Sequence, residues 1–358
     1  MGQNILHKFN IAFFQVVNLI NHKQSYGLNF TYLALLMVTL LLQSCFKEKP
    51  LAPPPNQSIG QTALISMGPG YANQFFYSLE TNTVLSQNDR NAYDLLFDCD
   101  ANSFYIWLNT AKFMSVIKTD KSNLDLVTLN DTIGKEWKYE LGSFNKDSSA
   151  LGTWWSSLGT EPVSDNKVYI IHLGLDANGE SMGYIKLQIH DFSSGEYSIS
   201  YMREGENSSR NFTIAKDNTR NYAYFTFTND SGIVDGIEPD KALWDFCFTR
   251  YSVVFYEPYY LPYLVTGVLH NPSRVQAYID STVNFETITI SNFETDRLLA
   301  DRDAIGYGWK RFTNNDYTTL PGHVYFVKTA EDRYYKLHFV DFKQGNAWGY
   351  PAFEFYRL

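Results

Sequence analysis

The chain has 358 residues, of which 44% are hydrophobic, 16% aromatic and only 19% charged. That much apolar area can bury a large core, which excludes a disordered or low-complexity chain. The formal charge is −9, and residues 1–44 contribute only Lys8 and Lys23 to it. The remainder is therefore more acidic still and lacks the basic footprint a nucleic-acid partner requires.

Phe30 to Leu42 is an uncharged, mostly apolar run. At about 13 residues it is too short to span roughly 30 Å of hydrocarbon, and it suits the central region of a signal peptide. It ends in Leu42-Gln43-Ser44-Cys45, small and polar residues running directly into a cysteine. This is similar to a bacterial lipoprotein box, which predicts residues 1–44 as the signal and Cys45 as the acylated first residue. An N-terminal helix that anchors the chain or packs in a core is the alternative. Pro50, Pro53, Pro54 and Pro55 make residues 45–60 an extended spacer. No Asp follows Cys45, and Lys47-Glu48 is weakly similar to surface-export signals, so the outer membrane or cell surface is expected.

Beyond the spacer, the sequence repeats itself at about 150 residues. GYIKLQIHDF at 183–192 returns as RYYKLHFVDF at 333–342. Val168-Tyr169 returns as Val324-Tyr325, and Tyr93-Asp94 as Trp244-Asp245. Hairpin-like openings, QFFYSLETNTV and AYFTFTNDSGIV, precede the last pair. Order and spacing are kept, which predicts a divergent module at 61–215 and a second at 216–358, divided in the polar stretch Arg203 to Asn221.

Each copy reads as mostly β. Ile185, Leu187 and Ile189 alternate with Lys186, Gln188 and His190, and Tyr335, Leu337 and Phe339 alternate with Lys336 and His338. Period two gives one buried and one wetter face, as in an antiparallel sheet. Asn178-Gly179, Ser194-Gly195 and Gly345-Asn346 are turn signals. Short helices are expected after Asn271-Pro272, with Val275, Tyr278 and Ile279 on one face, and at a Ser291/Glu294 capping box. Of the cysteines, Cys99 and Cys247 remain after processing; a disulfide is open to them, but their unmatched positions favour two buried free thiols.

An opening hairpin, then Trp244-Asp245-x-x-Phe248-x-Arg250, then Val324-Tyr325, DRYYKLHFVDF and the ending GYPAFEFYRL resemble the HmuY-like lipoproteins of Bacteroidetes. The resemblance is best from about Asn221 to Leu358 and weaker from about Met67 to Met202. It implies an all-β fold of two tandem HmuY-like antiparallel modules with a few short helices. It also implies a surface lipoprotein that captures haem and passes it to a TonB-dependent outer-membrane receptor.

Haem requires an aromatic-lined slot and axial ligands, for which His, Met and Tyr all serve. His172, His190, His323 and His338 lie in or beside strand patterns and read as half-buried strand residues. His270 follows the aromatic run Tyr256 to Tyr263, which Pro258 and Pro262 exclude from a regular central strand, so the run is expected to be a loop with exposed rings. His270 also precedes an expected helix start, whose partial positive charge would keep imidazole neutral. The candidate set is therefore His270 as iron ligand, Met114 as its counterpart in the first copy, and Tyr259, Tyr260 and Tyr263 as flanking rings. No nucleophile elbow, zinc-protease helix, phosphate loop or dinucleotide fingerprint is present, so a non-enzymatic binding protein is expected. The alternative is a scaffold or adhesin-like lipoprotein that binds a surface protein or glycan without haem.

Overall fold

The computed structural model describes residues 60–157, 161–176 and 178–358. The predicted signal, Cys45 and the spacer as far as residue 59 lie outside the described residues. In chain order the first strands are β1 (Gln61–Leu64), β2 (Asn73–Ser78), β3 (Thr83–Asp89), β4 (Leu95–Asp98), β5 (Ile106–Leu108) and β6 (Ser115–Lys118). There follow β7 (Lys138–Tyr139), β8 (Trp155–Ser157), β9 (Pro162–Ser164), β10 (Val168–His172), β11 (Tyr184–Ser193), β12 (Glu196–Arg203) and β13 (Arg210–Ala215). Next come β14 (Tyr222–Phe225), β15 (Ile233–Val234), β16 (Phe246–Phe255), β17 (Leu261–His270) and β18 (Gln276–Asp280). The last are β19 (Lys310–Thr313), β20 (Asp316–Thr319), β21 (Val324–Thr329), β22 (Arg333–Gln344) and β23 (Ala347–Arg357). Helical structure among the described residues is confined to 3-10 turns, so the chain is all-β.

The sheets pack as two sandwiches. In one, the sheet β13-β12-β11-β10-β6-β7 faces the sheet β15-β14-β4-β5 across a core that includes Leu95, Phe97, Ile171, Leu187, Tyr197 and Phe225. In the other, β1-β23-β22-β21-β18 faces β17-β16-β2-β3 across Phe75, Tyr77, Phe248, Tyr325, Leu337 and Phe353. The alternation read in the sequence sets these faces: Ile185, Leu187 and Ile189 are buried, as are Tyr335, Leu337 and Phe339. Both long strands shift register at the same place, between Ile189 and Asp191 and between Phe339 and Asp341. The turn signals hold too, with Ser194 and Gly195 at positive φ between β11 and β12.

The sheets do not respect the sequence boundary at 215/216. The opening hairpin β2–β3 pairs with β16, far down the chain, and β1 pairs with β23. Conversely the hairpin β14–β15 pairs with β4. Each inner strand thus receives the hairpin from the other half of the chain.

A buried aspartate fixes each exchange. Asp94, before β4, donates its N–H to the Phe225 carbonyl at 2.7 Å and accepts from the Phe227 N–H at 2.7 Å and the Thr226 hydroxyl at 2.9 Å. Asp245, before β16, donates its N–H to the Tyr77 carbonyl at 2.8 Å and accepts from the Leu79 N–H at 2.8 Å. Each is ion-paired below the surface, Asp94 with Lys112 and Asp245 with Arg274. The cations follow asparagines that do the same job twice. Asn109 Nδ2 donates to the carbonyls of Arg90 and Tyr93, and Asn271 Nδ2 to those of Lys241 and Trp244, all at 2.8 Å. The recurring lysine of the long strands is likewise structural. Lys186 Nζ donates to the Leu124 and Val127 carbonyls, and Lys336 Nζ to those of Phe285 and Ile288.

Removing one member of a buried ion pair leaves its partner charged and desolvated, at a cost of about 3 kcal/mol. Asp245→Asn is therefore expected to lower the unfolding free energy by that order, and the double variant Asp245→Asn/Arg274→Met to recover part of it. Chemical denaturation of these two variants and of Arg274→Met alone checks this as a double-mutant cycle.

Candidate functional site

The ladder of β16 and β17 runs from Phe246↔His270 to Phe255↔Leu261. Only Phe246 to Phe248 also pair with β2, so the far end of this hairpin extends beyond its sheet neighbour. The aromatic run caps that end. Tyr256 to Tyr260 form the connection, with a cis Glu257–Pro258 peptide, and Pro262 and Tyr263 belong to β17. The expected loop is thus partly strand. Pro262 is tolerated there because β17 is an edge strand of its sheet, where a missing N–H costs no ladder bond.

The rings face solvent as expected. Tyr256 is 67% exposed, Tyr259 65%, Tyr263 52% and Tyr260 45%, with Phe255 and Leu261 beside them also open. Tyr256 packs edge-on to Tyr260 with centroids 6.0 Å apart, and Phe255 lies 5.8 Å from Tyr263. The Tyr260 hydroxyl is pushed up by partial burial and by the charge of Glu136. A cleft of about 400 Å³ opens beside this strand, lined by Arg90, Lys112, Phe113, Arg250, Pro262 and Tyr263 among others. Arg90 is committed to the carbonyls of Tyr71 and Ala111. Arg250 lies over the Tyr71 ring at 5.9 Å. Sequence reasoning missed this cleft, although Arg250 ends the Trp-Asp-x-x-Phe-x-Arg block and so was in plain view.

His270 lies at the opposite end of β17. Seven residues of strand place it about 23 Å from Tyr263, too far for both to serve one flat guest. Its side chain is wholly buried, its N–H bonds the Arg302 carbonyl at 2.7 Å, and Nε2 has no partner. Burial, with Arg302 nearby, pushes its pKa down to about 4. Met114 is equally enclosed in the first sandwich, with Leu95 and Val116 in the same core. Neither side chain offers a face to a guest. The structure therefore separates the candidate set: three tyrosines at an open tip, His270 and Met114 inside.

The helix expected after Asn271-Pro272 is a correction of the same origin. Asn271 Oδ1 does accept the Ser273 N–H at 3.1 Å, as a cap would, but only a turn follows before β18. Val275, Ala277 and Tyr278 are buried, and β18 pairs with β21 throughout, so sheet pairing overrides the local start signal. The second expected helix is two 3-10 turns, Ile290–Asn292 and Thr295–Arg297, and the capping box there joins Thr289 to Asn292. Cys99 and Cys247 are buried free thiols, pushed up by burial to about 11 and about 12. Among the other histidines, His190 is exposed, whereas His172, His323 and His338 are half-buried. His338 stacks on Phe285 with centroids 3.7 Å apart.

Residues 218–355 match the family model described as HmuY protein. That stretch holds the hairpin β14–β15 and everything from the tyrosine hairpin to β23. Among solved structures, the chain is similar to the apo HmuY analog (TFO) of Tannerella forsythia at 15% identity, over 40% of this chain and 95% of that chain. The TM-score is 0.17, too low for this likeness to carry an argument. No curated protein matches. Among the described residues no helix is long and apolar enough to cross a membrane.

His270 folds neutral, with a pKa below the ordinary value of about 6.5. Its contribution is present above pH 6.5 and is lost as the pH falls towards 4, by up to about 3 kcal/mol. His270→Leu is expected to flatten the decline in stability between pH 6.5 and 4.5, measured by denaturant titration at each pH. An unchanged slope would show that His270 is not held neutral.

Proposed function

We propose that this chain is a non-enzymatic, lipid-anchored surface protein of two HmuY-like repeats that exchange their opening hairpins. Its guest is haem, held at the tyrosine-bearing tip of the β16–β17 hairpin and handed on to an outer-membrane TonB-dependent receptor. The observation that carries the reading is the cluster of exposed rings on a hairpin reaching past its sheet. Large apolar side chains left open together mark binding surfaces. The match of residues 218–355 to the HmuY family supports the choice of guest.

The chemistry fits a macrocycle with two carboxylates. Tyrosine rings supply flat apolar contact at little cost in side-chain freedom. A tyrosine oxygen is an established axial ligand of haem iron, and as an anionic oxygen it favours the ferric state. The guanidinium of Arg250, in the cleft next to Tyr263, suits a propionate. Anchoring through Cys45 would hold the tip outside the membrane at the end of the proline spacer.

Titration of the purified protein with ferric haem tests this. A shifted Soret band and a 1:1 end point are expected, with weaker binding of ferrous haem. Tyr259→Ala, Tyr260→Ala and Tyr263→Ala combined should weaken ferric binding by tenfold or more, about 1.4 kcal/mol. His270→Leu and Met114→Leu should leave the spectrum unchanged. A free-haem spectrum at equimolar protein would exclude this guest. The open Phe255 and Leu261 around the tyrosines then favour a protein or glycan partner on the same tip. A Soret band abolished only by His270→Leu would move the site into the core.

A further inference from the structure

A second cleft, of about 490 Å³, lies on the outer face of the sheet β13-β12-β11-β10-β6-β7 and shares no residue with the tyrosine tip. Its floor is made by Ile170 of β10, Tyr184 and Lys186 of β11, and Met202 of β12. One wall is the segment from Asp125 to Leu129, and the other is the turn after β12, from Glu204 to Asn207. The Lys186 ammonium is fixed in this floor by the Leu124 and Val127 carbonyls.

The second repeat has the same ground covered by its own side chains. Residues 123–138 and 284–299 align without a gap: Asn123 and Asn284 cap, Thr128 and Thr289 each open a capping box, and Lys138 opposite Val116 matches Leu299 opposite Ala277. Lys336 is tied to the carbonyls of Phe285 and Ile288 as Lys186 is to those of Leu124 and Val127. In the ladders Tyr356 stands opposite Lys336 and Met202 opposite Lys186. The Leu358 N–H bonds the Tyr334 carbonyl as the Glu204 N–H bonds that of Tyr184. The Tyr356 ring lies 4.9 Å from Lys336 Nζ, and Leu358 packs against the same cluster. Lys336 is accordingly 6% exposed, whereas Lys186 is only half-buried and, among the described residues, has no ring over it. The first repeat thus keeps the seat of an aromatic ring and lacks the ring. Its mouth is also more acidic, because Glu204 replaces Leu358. Glu206 is paired with Arg210, while Asp125 and Glu204, both exposed, form no ion pair among the described residues.

We propose that this cleft binds a small arylalkylamine, its ring over the Lys186 ammonium as Tyr356 lies over Lys336, and its own ammonium at the mouth with Asp125 and Glu204. The ring gains the attraction of a fixed cation for an aromatic face, and contact with Tyr184 and the Met202 thioether. The ammonium is selected by charge: a carboxylate on the same ring would face two unpaired carboxylates. The site is independent of haem and operates whether or not the tyrosine tip holds one.

Tyramine and 3-(4-hydroxyphenyl)propionate, alike in ring and opposite in charge, test this on the full-length protein labelled with ¹³C at its methionine methyl groups. Met202→Leu assigns the Met202 signal. Tyramine should move that signal saturably, with a midpoint of about 1 mM, while Met114 and Met182 stay in place and the propionate moves none of them. Asp125→Asn combined with Glu204→Gln changes only exposed side chains and should weaken tyramine binding about fivefold. Met202→Tyr copies the second repeat. It should abolish saturation transfer to the tyramine ring and raise the unfolding midpoint, which shows that the variant is folded. No movement of Met202 up to about 20 mM tyramine, equal binding of the two compounds, or undiminished tyramine binding by Met202→Tyr would overturn the proposal.

Discussion

Asp94 and Asp245 sit at the entrance of the innermost strands, and each reaches for the backbone of a hairpin that belongs to the opposite half of the chain. A buried carboxylate is tolerable only when hydrogen bonds and a cation offset its desolvation. Here the offset comes from two places at once: N–H groups of the incoming hairpin, and Lys112 or Arg274 from the turn that Asn109 or Asn271 organises. The carboxylate is satisfied only if hairpin, strand and turn are all in place. The exchange is therefore specified by polar contacts, and the apolar cores fill in around it.

That constraint places both the tyrosine tip and the junction between the sandwiches. Because β2 contacts β16 only over Phe246 to Phe248, the rest of the β16–β17 hairpin is released to carry its tyrosines outward. Because both exchanges converge, the outer faces of the four-stranded sheets meet in a third apolar cluster containing Phe76, Tyr93, Trp107, Tyr222, Tyr224, Trp244 and Cys247. Glu238 is buried within it, bonded by Asn221 and by Trp244 Nε1. Arg302 lies at this junction, its guanidinium 4.2 Å from the centre of the Phe144 ring that packs against the cluster. One strand, β17, links the two regions, with an open aromatic end and a sealed end at His270.

Much of this was legible in the sequence, and the failures share a cause. Alternation at Ile185–Ile189 and Tyr335–Phe339 reported real faces, because period two directly encodes a two-sided strand. The prolines at 258 and 262 correctly placed exposed tyrosines, because proline restricts where a chain can join a sheet. The helix after Asn271 failed because the same side-chain cap serves a helix and a tight turn. What decides between them is a partner strand, β21, about 50 residues away. The sequence neighbours of His270 point to an open aromatic loop, whereas its surroundings are set by Phe246 and Arg302. The exchange left no local trace: the groups that fix it are backbone N–H groups of the incoming hairpins, which carry no sequence signature and lie 133 and 166 residues from the aspartates that bind them. The Asn-x-x-Lys and Asn-x-x-Arg turns, at 109–112 and 271–274, were the one recurring signal that could have exposed the aspartate sites earlier.

The crossing of the hairpins also sets an order of assembly. As the chain emerges from its N-terminal end, β2 and β3 have no sheet to join until β16 appears, more than 150 residues later. The sheet around β4 likewise waits for β14. Contacts so distant in sequence close slowly because loop entropy must be overcome before any reward. The nascent polypeptide therefore stays open, with apolar strand edges unsatisfied, until nearly all of it is available. The linkage that locks the finished molecule is thus the one that keeps it from locking early.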